Sequence, residues 1–365
     1  MAPTSGDTVT KSIAVLGAGL LGRLIAWRLL QNHHHVSLFE AGDFSKPRSA
    51  ANTAAAMISP YSEAVVANKT IYSIGMRSLE LWPQWIAEIN QQSSQQVAIV
   101  YANPGTLVVA HSQDHAELQQ FKQDLVSVLG TDDNSHWLDR ASLQNYEADL
   151  SHFNQALYLP DEAFLDNRAL LNNLLSIIQN LGGNCIDSTP IAHANQTANR
   201  YRPEDFELII DCRGLGAKQD WPNLRGVRGE VMWVQCRELQ FRHAIRLMHP
   251  RYKLYVVPKP NHHYIIGATE IESEDLSPIS LQSNLELASA LYSIHPAFAE
   301  ARIVETDVNL RPAFLDNEPR IQFEDNVIRI NGLYRHGFLL APTMVDDTIN
   351  WINGDKLSPY WSYYA

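Results

Sequence analysis

Residues 12–40 read SIAVLGAGLLGRLIAWRLLQNHHHVSLFE, and this stretch decides the fold of the chain. A short apolar run at 13–16 predicts a buried parallel strand. Apolar residues at helical spacing predict a helix that starts near Leu20. A second apolar run at 36–39 predicts another strand, so we expect the stretch to form a β–α–β unit.

Gly17, Gly19 and Gly22 follow the first predicted strand in the spacing GxGxxG. The first glycine permits a tight turn, the second lets a pyrophosphate approach the backbone, and the third lets the helix pack closely on the strand. The free N–H groups and positive dipole of the helix N-terminus favour phosphate there. Glu40 ends the second strand, where a carboxylate accepts hydrogen bonds from ribose hydroxyls and repels a 2′-phosphate. The pattern predicts a dinucleotide site and disfavours NADP.

The composition is that of a globular enzyme, and the length of 365 residues suggests two domains. The net charge of −12 disfavours nucleic acid and anionic membrane as partners. No apolar run is long enough to span a bilayer, and we take the first ten residues to be a disordered lead-in. Three widely spaced cysteines suit neither a disulfide framework nor a zinc site. We therefore expect a cytoplasmic protein without a metal.

Small residues fill positions 49–56, which read SAANTAAA. Eight small side chains in a row suggest that a bulky group lies against this backbone. The alternative is a plain Ala-rich helix. An amphipathic helix is predicted next, over 71–89.

The central part of the chain departs from and then returns to alternation of strands and helices. Strands at 97–101 and 106–110 are predicted on either side of a Pro-Gly turn, within an inserted β-rich lobe. A helix over 167–181 and an apolar strand over 206–211 follow. The glycines that follow this strand leave open space at its end, as the glycines after the first strand do. A cofactor could pass there.

A second β-rich stretch occupies the C-terminal half. Residues 253–257 and 263–268 predict a hairpin, and 306–311 predict a strand that ends at Pro312. The last helix is predicted over 338–351. The exposed side of that helix is expected to carry Thr343, Asp346 and Asp347.

Further motifs follow the glycine-rich turn in a fixed order. They are Pro104-Gly-Thr, Asp211-x-x-Gly214, Arg228-Gly-Glu230, Tyr255-x-x-Pro258, Gly267-Ala-Thr269, Leu310-Arg-Pro312 and Gly332-Leu-Tyr-Arg-His-Gly337. Over almost the whole chain, this order resembles the FAD-dependent D-amino-acid oxidase superfamily, with the glycine and sarcosine oxidases most alike.

The resemblance implies an α/β chain of mixed α+β character in two domains. A Rossmann-like FAD-binding domain would comprise 1–90, 150–225 and 325–365. A substrate or cap domain, built on a mixed antiparallel sheet, would comprise 91–149 and 226–324.

The resemblance also implies that FAD binds in an extended pose with its isoalloxazine ring covered by the second sheet. The residues expected to bind FAD are Gly17, Ala18, Gly19, Leu20, Leu21, Gly22, Glu40, Ala41, Arg48, Thr53, Ala54, Ala55, Met57, Ile191, Cys212, Gly214, Leu215, Gly332, Tyr334, Arg335, His336, Gly337 and Phe338.

In the resembling enzymes, the arginine before the proline of the Leu-Arg-Pro motif pairs with the substrate carboxylate. Arg311 matches it, and guanidinium offers a planar two-point fork. Tyr255 matches a tyrosine that contacts the same carboxylate. Lys253 shares the face of Tyr255 because strand side chains alternate. Each residue also has an alternative interpretation. Arg311 could form a surface ion pair, Tyr255 could be a half-buried tyrosine of the sheet, and Lys253 could be a solvated lysine.

Arg335 and His336 complete the candidate catalytic residues. The positive end of the last helix would point at the flavin, and Arg335 would add charge there or at the substrate; simple packing is the alternative. The chain departs from the family pattern at Met57, where glycine is common, at Leu333, where a polar residue is common, and at His336, where asparagine is common. These departures favour an unusual substrate.

Three classes of function remain open at this point. The first is an oxidase that transfers hydride from an uncharged amine or amino acid to flavin N5, with oxygen as the final acceptor. The second is similar in size and motifs: a flavoprotein that matures a tryptophylquinone cofactor by acting on a partner protein. The third is a nicotinamide dehydrogenase, which would bind no flavin.

Overall fold

The computed structural model describes residues 10–95, 98–195, 205–250, 253–355 and 358–360, with the backbone alone of Lys253. The lead-in predicted for the first ten residues lies, except for Thr10, outside the described residues.

The helices of the described chain are α1 Leu20–Gln31, α2 Ala50–Thr53, α3 Pro60–Ala64, α4 Lys69–Gln92, α5 His115–Leu129, α6 Arg140–Tyr146, α7 Asn167–Asn180, α8 Leu281–Ile294 and α9 Gly337–Ile352. The strands are β1 Ser12–Leu16, β2 His35–Phe39, β3 Met57–Ile58, β4 Tyr101–Ala102, β5 Thr106–Ala110, β6 His136–Asp139, β7 Gln155–Leu159, β8 Ala163–Leu165, β9 Asn184–Ile186, β10 Leu208–Asp211, β11 Arg225–Gln235, β12 Ala244–Met248, β13 Lys253–Lys259, β14 His263–Gly267, β15 Arg302–Ala313, β16 Arg320–Glu324 and β17 Val327–Asn331.

These strands form three sheets, which confirms the predicted mixed α/β architecture. A six-stranded sheet has the order β16-β17-β10-β1-β2-β9, and an eight-stranded sheet has the order β15-β11-β14-β13-β12-β5-β7-β6. A small sheet of order β3-β8-β4 completes the described strands. The hairpin predicted in the C-terminal half is confirmed as β13 and β14.

The six-stranded sheet is built around the stretch that opened the sequence. Strand β1 pairs in parallel with both β2 and β10. Ile13 and Val15 are fully buried on one face of β1, and Ala14 is buried on the other. A strand that is covered on both faces buries every one of its side chains. This explains why the sequence of β1 is a continuous apolar run. Helix α1 packs against α7 and α9 over this sheet.

Two polar residues of α9 lie on the opposite side from the one predicted. Thr343 and Asp347 are buried, so their predicted exposure is wrong. Helix α4 covers this side of α9, and it supplies polar partners there. The Thr343 hydroxyl donates to the Ile74 carbonyl at 3.0 Å, and Arg77 donates to Asp347 at 3.3 Å. Buried polar groups need such partners, and helical periodicity alone does not reveal them.

The strand predicted at 106–110 is confirmed as β5, whereas Tyr101 is the one described residue of the stretch predicted at 97–101 that lies in a strand. Strand β4 pairs with β8 in the small sheet, whereas β5 pairs with β12 and β7 in the eight-stranded sheet. Gly105, at a φ of +88°, carries the chain from one sheet to the other. Val97, the first residue of the predicted strand, lies outside the described residues.

Strand β15 continues through Pro312 to Ala313, so the predicted end at Pro312 is wrong. The strand lies at the edge of its sheet, where a missing N–H donor does no harm. The division into two domains stays a prediction. The eight-stranded sheet nevertheless includes β7, which the predicted boundary at residue 150 had assigned to the FAD-binding domain.

Candidate active site

A cavity of about 1360 Å³ lies between the carboxyl ends of the six-stranded sheet and one face of the eight-stranded sheet. Its wall includes the β1–α1 turn, the end of β2, residues 48–57, the end of β10 and the turn into α9. Typical small-molecule pockets measure roughly 300–1,000 Å³, so this cavity has room for more than one small molecule. Crevices at the carboxyl ends of parallel strands are where α/β folds bind nucleotides.

The three glycines of the β1–α1 turn perform different tasks. Gly17 has a φ of +91°, and a Cβ there would lie 2.7 Å from the Cys212 carbonyl oxygen. A Cβ on Gly22 would lie 1.9 Å from the Gly17 carbonyl oxygen, so this glycine permits close packing of α1. At Gly19 the nearest atom to a Cβ would be Cβ of Ser49, at 3.7 Å. The backbone at Gly19 is therefore open toward the cavity.

Glu40 is held in place by two backbone amides. Its Oε2 accepts a hydrogen bond from the Ala18 N–H at 2.8 Å, and its Oε1 accepts one from the Gly42 N–H at 3.1 Å. The carboxylate lines the cavity one residue after β2. This position suits an acceptor for ribose hydroxyls.

The small-residue run is helical only over α2, so the alternative of a plain Ala-rich helix is wrong. Ala54 is extended, Ala56 has a φ of +56°, and the chain enters β3 at Met57. Ser49 and all seven residues after it except Asn52 line the cavity. Small side chains here keep the backbone accessible to whatever occupies the cavity.

Most of the residues predicted to bind FAD lie on the wall of this cavity. They are Gly17, Gly19, Leu20, Leu21, Glu40, Ala41, Arg48, Thr53, Ala54, Ala55, Met57, Ile191, Cys212, Gly214, Leu215, Tyr334, Arg335, His336, Gly337 and Phe338. Leu333 lies there too, so the three positions that depart from the family pattern, Met57, Leu333 and His336, share one cavity.

Three of the residues predicted to bind FAD do not line the cavity. Ala18 contributes its N–H to Glu40, and Gly22 packs on Gly17. Gly332 has a φ of +79°, and a Cβ there would lie 2.3 Å from the Phe314 ring. Glycine at this position is therefore required by the turn and by packing, and its contact with FAD stays a prediction.

Arg311 reaches the cavity without forming the surface ion pair considered as its alternative. Its Nη1 donates to the Arg228 carbonyl at 3.2 Å, and its Nη2 donates to the Thr269 carbonyl at 3.0 Å. Among the described residues, no carboxylate forms an ion pair with it. A guanidinium has five N–H donors, so donors remain for a ligand.

Tyr255 stands on the same face of the eight-stranded sheet and lines the same cavity. Its hydroxyl oxygen lies 3.0 Å from where a Cβ on Gly267 would be. Burial raises the pKa of Tyr255 even though Arg311 opposes that shift. The hydroxyl therefore stays protonated at neutral pH and can donate a hydrogen bond.

Arg335 is held by two acidic side chains that the sequence analysis missed. Its Nε donates to Glu63 Oε2 at 2.8 Å, and its Nη1 donates to Glu270 Oε2 at 3.1 Å. His336 Nδ1 also lies 3.1 Å from Glu63 Oε2. Burial alone would raise the pKa of Glu63, but Arg335 and His336 outweigh it, and the pKa is lowered. Nothing in the short α3 sequence marked Glu63 as a partner of this turn.

The side chain of Lys253 lies outside the described residues, so its predicted role stays a prediction. A different lysine of β13 was missed. Lys259 is buried, and its Nζ donates to the Ala55 carbonyl at 2.8 Å and to the Leu165 carbonyl at 2.6 Å. Burial lowers the pKa of Lys259 to about 7. The alternation of side chains along β13 was the one available signal for it.

The residues of the cavity fit FAD. The open backbone at Gly19 and the N-terminus of α1 suit a pyrophosphate, and Glu40 suits a ribose. The N-terminus of α9, at Gly337, faces the same cavity and suits an electron-rich ring edge. Small residues between these points leave a continuous path. The fold and the site together define a flavin-dependent oxidoreductase.

Comparison with known proteins agrees with this class. The family model described as DAO, FAD dependent oxidoreductase, matches residues 12–348. A relative from Rhizobium etli, provisionally named thiamine biosynthesis oxidoreductase ThiO, is 34% identical over 340 residues, which cover 92% of this chain and 94% of that protein. The chain therefore belongs to the DAO family of FAD-dependent oxidoreductases, and its cofactor is FAD. The nicotinamide alternative is wrong.

Solved structures and a further relative agree on the fold. Glycine oxidase from Geobacillus kaustophilus superposes with a TM-score of 0.81 at 19% identity, covering 96% of each chain. Iminodiacetate oxidase from Chelativorans sp. superposes with a TM-score of 0.79 at 19% identity, covering 97% of this chain and 98% of that one. Glycine oxidase from Bacillus licheniformis is 22% identical over 368 residues, covering 95% of this chain and 94% of that protein. No helix in the described residues has the length and hydropathy needed to cross a membrane.

Proposed function

We propose that this protein oxidises the C–N bond of a small amino acid, with oxygen as the final electron acceptor. The observation that carries the proposal is Arg311. Its guanidinium lines the cavity, is held by two backbone carbonyls and forms no ion pair with a described carboxylate. A fixed cation with free donors in a largely enclosed site favours a carboxylate ligand.

The substrate carboxylate would be bound by Arg311 and by the hydroxyl of Tyr255. Both side chains lie on one face of the sheet, and both are fixed by neighbouring strands. Two anchors on one carboxylate leave the amine-bearing carbon in a single orientation. Orientation of this kind supplies a large part of the rate when a cofactor performs the chemistry.

FAD, when bound, supplies the two-electron acceptor. The carbon loses a hydride and the amine becomes an imine, which water hydrolyses. The amine must enter uncharged, and no side chain is needed as a base in the oxidation itself. Glu63 and Glu270 are both engaged by Arg335, so their role is to hold that arginine.

The relatives support a small substrate. The matching proteins carry names such as glycine oxidase and iminodiacetate oxidase, and both names describe amino acids. The alternative from the sequence is a flavoprotein that acts on a tryptophan of a partner protein. That alternative is tested by the same experiment.

The test is an anaerobic spectral titration of the FAD-loaded protein with glycine, sarcosine and both enantiomers of alanine and glutamate. We expect at least one to bleach the flavin absorbance, and Arg311→Met to weaken that reduction by about a hundredfold in kcat/KM. Flavin that stays oxidised with every amino acid would overturn the proposal and favour the partner-protein alternative.

A further inference from the structure

Arg246 is a further arginine of the cavity wall, and the proposed reaction does not use it. It lies on β12 directly opposite Tyr255 of β13. Residues opposite each other in antiparallel strands project on the same face, so Arg246 projects beside Tyr255. Both side chains line the cavity.

The guanidinium of Arg246 forms no hydrogen bond and no ion pair within the described part of the chain. Its carbon Cζ lies 5.6 Å from the centre of the Phe121 ring, a contact that orients the group. The ring does not accept conventional hydrogen bonds, so the five N–H donors of the guanidinium still lack acceptors among the described residues. Arg246 is half-buried and lines the cavity, where a ligand can reach these donors.

The two carboxylates that act most strongly on Arg246, Glu63 and Glu162, have other partners. Glu63 is engaged by Arg335, as described above. Glu162 Oε1 accepts from the Ser62 N–H at 2.7 Å, and Oε2 accepts from the Ser62 hydroxyl at 3.2 Å. Glu162 is fully buried, and this burial raises its pKa, which weakens it as a counter-ion.

The arginines at this end of the cavity are unevenly paired. Arg335 is matched by Glu63 and Glu270, which lie within ion-pair distance. Arg311 and Arg246 have no carboxylate at such a distance among the described residues. A substrate with one carboxylate satisfies Arg311 and leaves Arg246 unpaired. Half-buried cations without partners are unfavourable unless a ligand completes them.

We propose that Arg246 forms a second anion subsite, and that the preferred substrate is an amino acid with a second acidic group. This inference rests on the proposed function, because Arg311 takes the first carboxylate. Arg311 lies over Gly229 of β11, and two strands separate β11 from β12. That separation is roughly 14 Å across the strands. Arg246 is also in register with Val231, two residues along β11 from Gly229, so the backbone distance between the two sites is larger still. The side chains shorten it, and a substrate of the length of glutamate, rather than of glycine, suits the remaining gap.

The first experiment measures binding without turnover. The FAD-loaded enzyme is titrated by calorimetry with glutarate, which has two carboxylates, and with pentanoate, which has the same chain length and one. We expect glutarate to bind at least about tenfold more tightly, the size of one charged hydrogen-bonded contact. Equal affinities for the two acids would overturn the proposal.

Variants connect that preference to the residue. Arg246→Met should remove the glutarate preference and leave pentanoate affinity within about twofold, whereas Arg246→Lys should keep part of it. The matched control is Arg302→Met, which removes an exposed arginine of β15 and should change neither affinity. A melting temperature for each variant excludes unfolding. A glutarate preference that survives in Arg246→Met would contradict the assignment.

The second experiment measures turnover with glutamate and glutamine, which differ in charge but hardly in shape. Both enantiomers are compared. We expect the ratio of kcat/KM for glutamate over glutamine to fall about tenfold in Arg246→Met and to stay within about twofold of wild type in the control Arg302→Met. If no amino acid reduces the flavin, the proposed function fails, while the glutarate titration still decides the subsite. If amino acids are oxidised but glutamate has no advantage over glutamine, the subsite fails alone.

Discussion

Arg311 occupies the space that a side chain at Gly229 would fill. A Cβ at Gly229 would lie 2.5 Å from Cζ of Arg311, closer than any packing allows. The glycine of the Arg-Gly-Glu motif thus serves an arginine more than eighty residues later in the chain. It sits on β11, beside the strand that carries Arg311.

This relationship predicts the effect of Gly229→Ala. The added methyl group should displace the Arg311 guanidinium and raise KM for the substrate by about tenfold or more, because the carboxylate anchor moves. FAD affinity should stay near the wild-type value, as should the melting temperature to within a few degrees. Steady-state kinetics and an FAD titration check this. Loss of FAD with unchanged KM would contradict the placement of Arg311.

The glycines of the β1–α1 turn should separate cofactor binding from folding. Gly19 has a φ of −74° and an open neighbourhood, so Gly19→Ala should leave the apoprotein stable. The methyl group should crowd the pyrophosphate and weaken FAD binding by at least about tenfold. Gly22→Ala should instead destabilise the fold by about 2–3 kcal/mol, because its Cβ would meet the Gly17 carbonyl at 1.9 Å.

Urea unfolding of each apoprotein and a fluorescence titration with FAD measure the two effects. Each of the two variants is the control for the other, because one should affect FAD binding and the other stability. An unstable Gly19→Ala apoprotein, or a Gly22→Ala protein of wild-type stability, would contradict these roles.

Lys259 should make stability depend on pH in the alkaline range. Its ordinary pKa is 10.5, and burial lowers the pKa to about 7 in the folded protein. Between these values the unfolded chain binds a proton that the folded protein does not, so the free energy of unfolding rises with pH. A neutral amine still has two N–H donors, enough for the Ala55 and Leu165 carbonyls.

The wild-type protein should therefore gain stability over Lys259→Met as the pH rises from about 7 to 9.5. Urea unfolding across that range, with excess FAD, measures the difference. Lys69→Met, which removes an exposed lysine at the start of α4, should show no such trend. A pH-independent difference between wild type and Lys259→Met would show that the lysine keeps its proton when folded.

Glu63 should stabilise the protein in the opposite pH range. Its folded pKa lies below the ordinary 4.5, so its contribution is complete above about pH 4.5 and is lost as the pH falls further. Glu63→Gln should reduce stability at pH 7 by on the order of 2 kcal/mol and should make the acid-induced loss smaller than in wild type. It should also raise KM, because Arg335 loses one of its two anchors.

The matched control is Glu305→Gln. Glu305 pairs with Arg168 near the surface, and such pairs contribute less than about 1 kcal/mol. Unfolding measured from about pH 7 down to about pH 2.5 distinguishes the two variants, because the contribution of Glu63 is lost below pH 4.5. Equal losses from Glu63→Gln and Glu305→Gln would contradict a special role for the inner pair.

The parts of this protein that the sequence predicted are those governed by local physics. The strand before Gly17, the helix from Leu20 and the acid at Glu40 were each placed within a residue or two. Helices α4, α7 and α9 were found from apolar spacing, since one buried face repeats every 3.6 residues. These features depend on neighbours along the chain, so the chain itself reports them.

The parts that failed depend on what covers each element. The exposed side assigned to α9 was wrong because α4 covers it with Arg77 and the Ile74 carbonyl. The strand predicted before Gly105 is reduced to Tyr101–Ala102, because the turn joins two different sheets and β4 pairs with β8. Neither partner is near in sequence, and no periodicity identifies it.

The sequence by itself determined the β–α–β unit, the glycine turn and hence the class of cofactor, because each depends on residues only a few positions apart. Only the tertiary structure decided the substrate end of the cavity. Glu63 of α3, Arg246 of β12, Arg311 of β15 and Arg335 before α9 come from four distant segments. Coulomb interactions act through space, so which arginines are paired and which await a ligand is settled by folding, not by order along the chain.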